Sequence, residues 1–369
     1  MRPFKAVISG GHLTPAIALI ENLEKRGFSL FYFGRKFAME GSQSASFERN
    51  YARKYRLQFI EIDSGKFPRY FTWYYFLSLF KIFSGFCRCF LYLLKIRPDI
   101  IVSFGGFLSF PLSLAGKILG IPVVIHEQTR VFGLSNRTIG KIADKICLSY
   151  NPTLKVPSHL KTTVTGIPLR RSILTPVKYF VPGNKEKPLI YITGGSQGSQ
   201  SINLFLLKVI PLFLKKYRII HAVGQSQSES VFQKIKSFKN TLPLNIKEDY
   251  TIEKSVEPDK VGSILRQADL VISRSGANTV AELCFFRKKT ILIPLPWSAE
   301  SEQRENGLFL VKTGLAKILD QNKLTLSLLK EAIEEMMILP YEPKKSDVKL
   351  IFDPRAENLV SEIETYLIR

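Results

Sequence analysis

Residues 274–282 read RSGANTVAE, a Ser-Gly turn set between the apolar runs ADLVIS (268–273) and LCFF (283–286). A strand, turn and helix over this stretch place Thr279 and Glu282, three residues apart, on one helix face. A carboxylate held there can accept hydrogen bonds from both hydroxyls of a ribose diol while the turn faces the phosphates or the base. Charge-assisted bonds of that kind contribute roughly 1.5–3 kcal/mol each. The same spacing also suits an ordinary solvated glutamate, and spacing alone leaves both readings open.

Two Gly-Gly turns offer a related chemistry, SGGH at 9–12 and TGGSQG at 193–198. Glycines between a strand and a helix let backbone N–H groups approach an anion at the positive helix end. Ser196 adds a hydroxyl that can donate to a phosphate oxygen. Turns like these also serve as plain packing devices. Neither has the G-x-G-x-x-G spacing, and the chain has no G-x-x-x-x-G-K-[ST], which disfavours a nicotinamide-type dinucleotide site and a P-loop.

The elements that must position these turns repeat along the chain. Continuous apolar runs read as strands at 6–9, 30–34, 99–105, 122–127, 145–149, 189–193, 218–224, 268–273 and 290–296, with stretches of helical length between them. That alternation predicts parallel sheets covered on both faces, an α/β fold. AVISGGHLTPAIALIENL opens one half and LIYITGGSQGSQSINLFLL opens another near residue 188, each as strand, Gly-Gly turn and helix. Between them the Pro-rich stretch 149–188 reads as a linker region joining two doubly wound domains, with the boundary near 165–185. Thr14 as cap, Pro15 at the first position and Gly27 at the end predict the first helix, with Ile17, Ile20 and Leu23 on its core face.

A chain of 369 residues accommodates about two domains of ordinary size. Hydrophobic residues make up 45% and charged residues 23%, as in folded rather than disordered chains. The formal charge of +22 points to an anionic partner: nucleic acid, acidic lipid or a phosphate-bearing substrate. Cys87, Cys89, Cys147 and Cys284 include no C-x-x-C, so neither a zinc frame nor a redox pair is indicated, and their number fits a reducing cytoplasm. MRPFKAVISGG runs straight into a strand-like segment, and no signal peptide is expected.

With these turns in order, the sequence resembles the MurG family of peptidoglycan glycosyltransferases. The resemblance runs through SGGHLTPAIAL (9–19), DIIVSFGGFLSFP (99–111), IPVVIHEQTRVFGLSNR (121–137), GIPLRRSI (166–173), TGGSQGSQSIN (193–203), ADLVISRSGANTVAEL (268–283) and PLPWSAESEQRENG (294–307). It implies a GT-B fold, two doubly wound Rossmann-like domains facing across a cleft. Residues 1–165 would form the acceptor and membrane-associating domain and 166–345 the UDP-GlcNAc domain, with 346–369 a helical segment packing back toward the first. The implied reaction is inverting, metal-independent transfer of GlcNAc from UDP-GlcNAc to lipid I, giving lipid II, with no cofactor. Without a metal, helix N-termini and hydroxyl donors must stabilise the departing UDP.

By the same resemblance Asn136, Arg170, Ser196 and Gln303 contact the donor, Gln303 through GlcNAc hydroxyls, and so do Ser9, Gly10 and Gly11 of the first turn. Ala277, Asn278, Thr279, Val280, Ala281 and Glu282 join them, with Glu282 on the ribose. His12 is the leading candidate for a base or for orienting the acceptor, against the plainer role of capping its turn. His126 reads as packing at a strand end, and His159 and His221 have no motif around them.

The chain departs from the family pattern at several points. Val7 and Ile8 stand where two glycines are expected, Gly-Ile-Pro replaces Gly-Asn-Pro at 166–168, HEQT replaces HEQN at 126–129, and Glu302 precedes Gln303. No uracil-contacting residue aligns within 251–263. These changes bear on sugar preference and activity, so a transferase acting on another lipid, or a UDP-sugar-binding protein without turnover, stay as alternatives.

Residues 64–98 hold no acidic residue, six basic ones and twelve aromatics. The core at 70–94 approaches transmembrane length, but Lys81 and Arg88 interrupt it, and an interior charge costs roughly 2.5–3.5 kcal/mol on insertion scales. Trp73 and its aromatic neighbours suit the lipid–water interface instead, so the segment reads as amphipathic helix lying on an anionic membrane surface, against the plainer reading of a buried core helix. The charge is then explained without nucleic acid, for which no signature exists. A peripheral place on the cytoplasmic face of the cell membrane is expected.

Overall fold

β1 (Lys5–Ser9) sends Ala6 and Ile8 to one side of a sheet and Val7 to the other, and all three are buried. A strand covered on both faces must be apolar throughout, and this is why the parallel strands read as continuous runs. In a computed structural model, residues 2–35, 47–54, 56–63, 65, 74–225, 227–340 and 352–367 are described. The chain divides into two units, Met1–Arg170 with Leu350–Arg369, and Arg171–Lys349.

In the first unit β1 is followed by α1 (Leu13–Lys25), β2 (Ser29–Gly34), α2 (Phe47–Lys54), β3 (Gln58–Glu61), α3 (Tyr74–Ile96), β4 (Ile100–Ser103), α4 (Ser109–Ile118), β5 (Val123–Glu127), α5 (Leu134–Ile139), β6 (Lys145–Leu148), β7 (Thr162–Val164) and β8 (Ile167–Leu169). A parallel seven-stranded sheet runs β3-β2-β1-β4-β5-β6-β7. The chain winds outward from β1 to β3, then returns to β4 on the other side of β1. That reversal makes the gap between the C-terminal ends of β1 and β4 a topological switch point.

The second unit repeats the plan: α6 (Arg171–Leu174), β9 (Leu189–Thr193), α7 (Gln200–Leu207), α8 (Ile210–Phe213), β10 (Arg218–Ala222), α9 (Glu229–Asn240), α10 (Leu244–Lys247), β11 (Tyr250–Glu253), α11 (Pro258–Gln267), β12 (Leu270–Ser273), α12 (Ala277–Phe285), β13 (Thr290–Leu292), α13 (Glu302–Lys312), β14 (Ala316–Ile318) and α14 (Leu326–Ile338). Its parallel sheet runs β11-β10-β9-β12-β13-β14, with the switch point between β9 and β12.

β15 (Phe352–Pro354) pairs with β8, and α15 (Glu357–Glu364) then packs on α1 in the first unit. Leu359, Val360, Ile363 and Leu367 join the cluster that holds Ile17, Ile20 and Leu23 of α1. The Asp353 carboxylate accepts the N–H groups of Asn358 at 2.8 Å and Leu359 at 2.9 Å, fixing the start of α15. Arg26 bridges Glu357 and Glu364, and the Asn22 side chain donates to the Arg355 carbonyl at 2.7 Å.

Two local readings need correction, and the Val7-Ile8 departure finds its place. His12, not Thr14, is the N-cap of α1, which puts Thr14 and Pro15 inside the first turn; Gly27, at φ +77°, follows the C-cap Arg26. Val7 and Ile8 are buried strand residues, so that departure lies in β1 and the turn itself begins at Gly10. The Pro-rich stretch 149–188 is not all linker, because β7 extends the first sheet and β8 carries β15.

α3 is apolar on two opposite sides. Cys89, Leu93 and Ile96 enter the core, while Phe80 (71% exposed), Phe83 (64%), Leu91 (65%) and Leu94 face out. At 100° per residue the outward set, with half-buried Cys87 among it, forms one stripe, and Lys81, Arg88 and Lys95, spaced by seven, run beside it. Residues 66–73, Trp73 included, lie outside the described residues. Among the described residues no helix is long and apolar enough to cross a membrane.

Candidate functional site

At the first switch point two glycine turns meet. A Cβ on Gly10 would lie 2.7 Å from Phe104 Cβ, and one on Gly106 (φ +87°) would lie 2.9 Å from the Gly11 nitrogen. Glycine is therefore required here by close approach of two chain segments. The Gly11 N–H donates to the Gly105 carbonyl at 3.1 Å, and Tyr32 donates its hydroxyl to the Gly10 carbonyl at 3.1 Å. The turn spends that one amide on its own structure. Ser9 is buried, with its Oγ 3.4 Å from Ser109 Oγ.

His12 follows directly, half-buried at the start of α1, and makes no side-chain cap bond. Burial lowers its pKa to about 4, so the imidazole is neutral near pH 7. His126 on β5 is fully buried; its Nε2–H donates to the Gly166 carbonyl at 3.0 Å. Its pKa is also lowered to about 4, by burial first and by the proximity of His12 last. Glu127 beside it accepts N–H groups from Thr129 at 3.0 Å and Gly133 at 2.8 Å, and the Asn136 amide at 2.9 Å. Burial still raises the Glu127 pKa.

Asn136 sits in this network, 3% exposed, where a Cβ on Gly105 would come within 3.2 Å of its amide. It thus serves the Gly105 turn of the first unit. Arg170 is buried and closes the first unit just after β8. Next to the turns lies a cavity of about 270 Å³ lined by Gly10, Gly11, Gly34, Arg35, Glu48 and Phe107, among others. Arg35 lies 3.7 Å from Glu48 and 5.3 Å from the Phe107 ring centre. Arg35 and Glu48 belong to none of the quoted motifs, whereas Phe107 lies in the 99–111 stretch.

The second switch point carries the remaining candidates. A Cβ on Gly194 would meet the Ser199 nitrogen at 2.5 Å, and one on Gly198 (φ +81°) would meet the Val223 carbonyl at 2.1 Å. Here too the amides are partly used: Gly195 donates to Thr193 Oγ1 at 3.1 Å and Gly198 to the Gly195 carbonyl at 3.1 Å. Ser196 is exposed at the tip of the turn, its carbonyl accepting from the Gln225 N–H at 3.0 Å. α7 beyond it holds Asn203, whose Oδ1 accepts from His221 Nε2 at 3.0 Å; the His221 Nδ1 in turn faces the Tyr250 hydroxyl at 2.9 Å. Burial lowers the His221 pKa to about 4.

α12 begins at Ala277, with Gly276 as N-cap and no side-chain cap bond. Asn278 and Thr279 are half-buried on its first turn, and Val280 and Ala281 pack inward. Glu282 is 9% exposed, which sets aside the reading of a freely solvated helix glutamate. Gln303, at the start of α13, accepts the Leu295 N–H through Oε1 at 3.0 Å, leaving its Nε2 as the end that can donate to a ligand. α13 also reaches the turn before α12 through Asn306, which donates to the Ser275 carbonyl at 3.4 Å. Residues 251–263, where no uracil contact aligned, cover the end of β11 and the first half of α11.

Arg274 opens the 274–282 stretch and carries no sequence signal of its own. Arg274 is 6% exposed and donates to the carbonyls of Ile293 at 2.9 Å and Pro294 at 3.1 Å. Those bonds come from Nη1, while Nη2 donates to Ser199 Oγ at 2.7 Å, Ser201 Oγ at 3.2 Å and Gln321 Oε1 at 2.5 Å. It joins the segments that carry Ser196, residues 277–282 and Gln303.

Comparison with known proteins follows this geometry. Residues 6–148 match the glycosyltransferase family 28 N-terminal domain and residues 189–356 its C-terminal domain. A UDP-N-acetylglucosamine–N-acetylmuramyl-(pentapeptide) pyrophosphoryl-undecaprenol N-acetylglucosamine transferase of Clostridium perfringens is 32% identical over 91% of both chains. The enzyme of the same name from Clostridium novyi is 28% identical over 98% of each. The crystal structure of Acinetobacter baumannii MurG superimposes with a TM-score of 0.69 at 24% identity, covering 98% of this chain and 99% of that one.

Proposed function

The chain belongs to glycosyltransferase family 28, with the MurG enzymes, and from that membership we propose that it transfers N-acetylglucosamine from UDP-GlcNAc to the pyrophosphoryl-undecaprenol-linked N-acetylmuramyl pentapeptide, making lipid II. The geometric observation that carries the reading is Glu282, a carboxylate 9% exposed, just behind the uncapped start of α12 at the switch point of a parallel sheet.

On this reading the donor lies along the C-terminal edge of the second sheet. Glu282 accepts the ribose hydroxyls, the starts of α7 and α12 face the diphosphate, and Ser196 donates to a phosphate oxygen. The Gln303 amide orients GlcNAc hydroxyls. His12, neutral near pH 7, accepts the proton of the attacking acceptor hydroxyl. The new bond forms at the anomeric carbon as the bond to the diphosphate breaks, its electron pair leaving on UDP, and the configuration inverts. Helix ends and fixed donors take the place of a divalent ion in stabilising that charge. Arg170 belongs to the donor set by sequence resemblance.

The acceptor is a lipid, and α3 supplies a surface suited to reaching it. A helix with a core-facing side, an opposite exposed Phe/Leu stripe and a row of Lys and Arg between can lie in the interface of an anionic leaflet. Each basic residue near such a surface contributes about 1 kcal/mol. This supports a peripheral position on the cytoplasmic face, where the +22 charge meets lipid rather than nucleic acid.

The direct test is transfer of labelled GlcNAc from UDP-GlcNAc to a short-chain lipid I analogue with a chelator present. Product is expected. Absence of product alongside micromolar UDP binding would defeat the assigned acceptor and favour another lipid or a protein that binds without turnover.

A further inference from the structure

Arg274 presents an imbalance that the donor reading does not yet use. The residue is 6% exposed and its guanidinium is bonded on two sides, yet all five acceptors are neutral: two backbone carbonyls, two serine hydroxyls and an amide oxygen. Buried cations in folded chains are ordinarily neutralised by a carboxylate, because an unpaired buried charge is expensive. Burial lowers its pKa only to about 10, so the charge persists near pH 7.

A second observation concerns the cap of α7. Serine is favoured at an N-cap because its oxygen accepts an N–H from the first helical turn. Ser199 occupies that position but makes no such bond, and its Oγ accepts from Arg274 instead. The first turn of α7 therefore keeps its positive end uncovered by its cap side chain, as α12 does behind Gly276. Three positive features converge at one switch point.

We infer that Arg274 is a positioning residue for the donor diphosphate: it clamps the 194–199 turn to the Ile293 and Pro294 carbonyls and supplies a fixed positive charge whose counter-anion is the UDP diphosphate. This rests on the donor site proposed above. As the anomeric carbon–oxygen bond breaks and its electron pair moves onto the diphosphate, the fixed charge favours the more negative leaving group. The clamp lets that charge act without direct contact, since the guanidinium holds the turn bearing Ser196 through Ser199.

The test compares UDP with uridine, which shares the base and ribose but has no phosphate. Binding of each is measured by calorimetry, without divalent ions, for the wild-type chain, Arg274→Gln and Ser199→Asp, together with thermal melting and steady-state kinetics. Arg274→Gln is expected to lose at least tenfold in UDP affinity and in kcat, with uridine affinity changed less than twofold. Ser199→Asp gives the guanidinium an internal anion, so it should melt at a higher temperature than wild type while losing UDP affinity relative to uridine. If Arg274→Gln does not fold, Ser199→Asp decides alone. Equal loss of UDP and uridine, or a Ser199→Asp chain no more stable than wild type, overturns the charge assignment. A wild-type chain that binds no UDP overturns the donor site itself, whereas UDP binding with an unchanged UDP-to-uridine ratio in the variants removes only the role of Arg274.

Discussion

Replacing Glu282 by alanine probes the donor assignment most directly. The side chain is held on α12 and is 9% exposed, so water screens it weakly and little ordering is left to be done on binding. Two ribose hydroxyls donating to one carboxylate, at the lower value of about 1.5 kcal/mol each, give about 3 kcal/mol, or roughly 150-fold in affinity. Glu282→Ala should therefore weaken UDP by about that factor, read by calorimetry, with the melting temperature as a control for folding. A 2′-deoxy analogue of UDP completes a double-mutant cycle. Wild type should bind it at least about tenfold more weakly than UDP, the share of one charge-assisted bond. Glu282→Ala should hardly distinguish the two. A variant that discriminates between them as strongly as wild type does would refute the reasoning, because the ribose would then be read by another group.

Three further outcomes follow from the same geometry. His12→Ala should lower kcat by about 10²–10⁴-fold while leaving UDP affinity unchanged, and the acidic limb of the wild-type rate profile should lie near pH 4 rather than 6.5. His221, buried neutral, contributes stability that is complete above its unfolded pKa near 6.5 and is lost as pH falls toward about 4, where the folded form also takes the proton. The stability difference between wild type and His221→Gln should accordingly shrink by about 1.4 kcal/mol per pH unit across that window, as chemical denaturation at stepped pH can show. Reversing Lys81, Arg88 and Lys95 to glutamate should abolish binding to vesicles rich in anionic lipid while UDP affinity holds, and retained vesicle binding would remove α3 from the membrane surface.

What the sequence disclosed followed physical period and burial. β1, β9 and β12 were legible because strands covered on both faces must be apolar at every step. β7, β8 and β15 have three residues each and lie at a sheet edge or in a two-stranded pair, so little apolar run exists to be seen. The glycine turns were visible, but their reason was not. Gly10 and Gly198 are glycines because Phe104 and Val223, distant in sequence, leave no room for a Cβ. Arg274 could not be singled out, since its meaning depends on Ser199, Ile293 and Gln321, which share no spacing with it. Spacing picks out Glu282, and only its burial separates a held carboxylate from a freely solvated one.

The return of the last residues to the first unit bears on how the chain is made. Unit two is continuous from Arg171 to Lys349, whereas unit one lacks β15 and α15 until everything between has been synthesised. During translation the second unit can close its core first, while the α1 surface around Ile17, Ile20 and Leu23 waits uncovered by Leu359, Val360 and Ile363. That surface sits on the helix whose start carries His12. A chain cut short before residue 350 would thus carry a complete second unit beside a first unit whose α1 surface is uncovered, apolar and prone to aggregate.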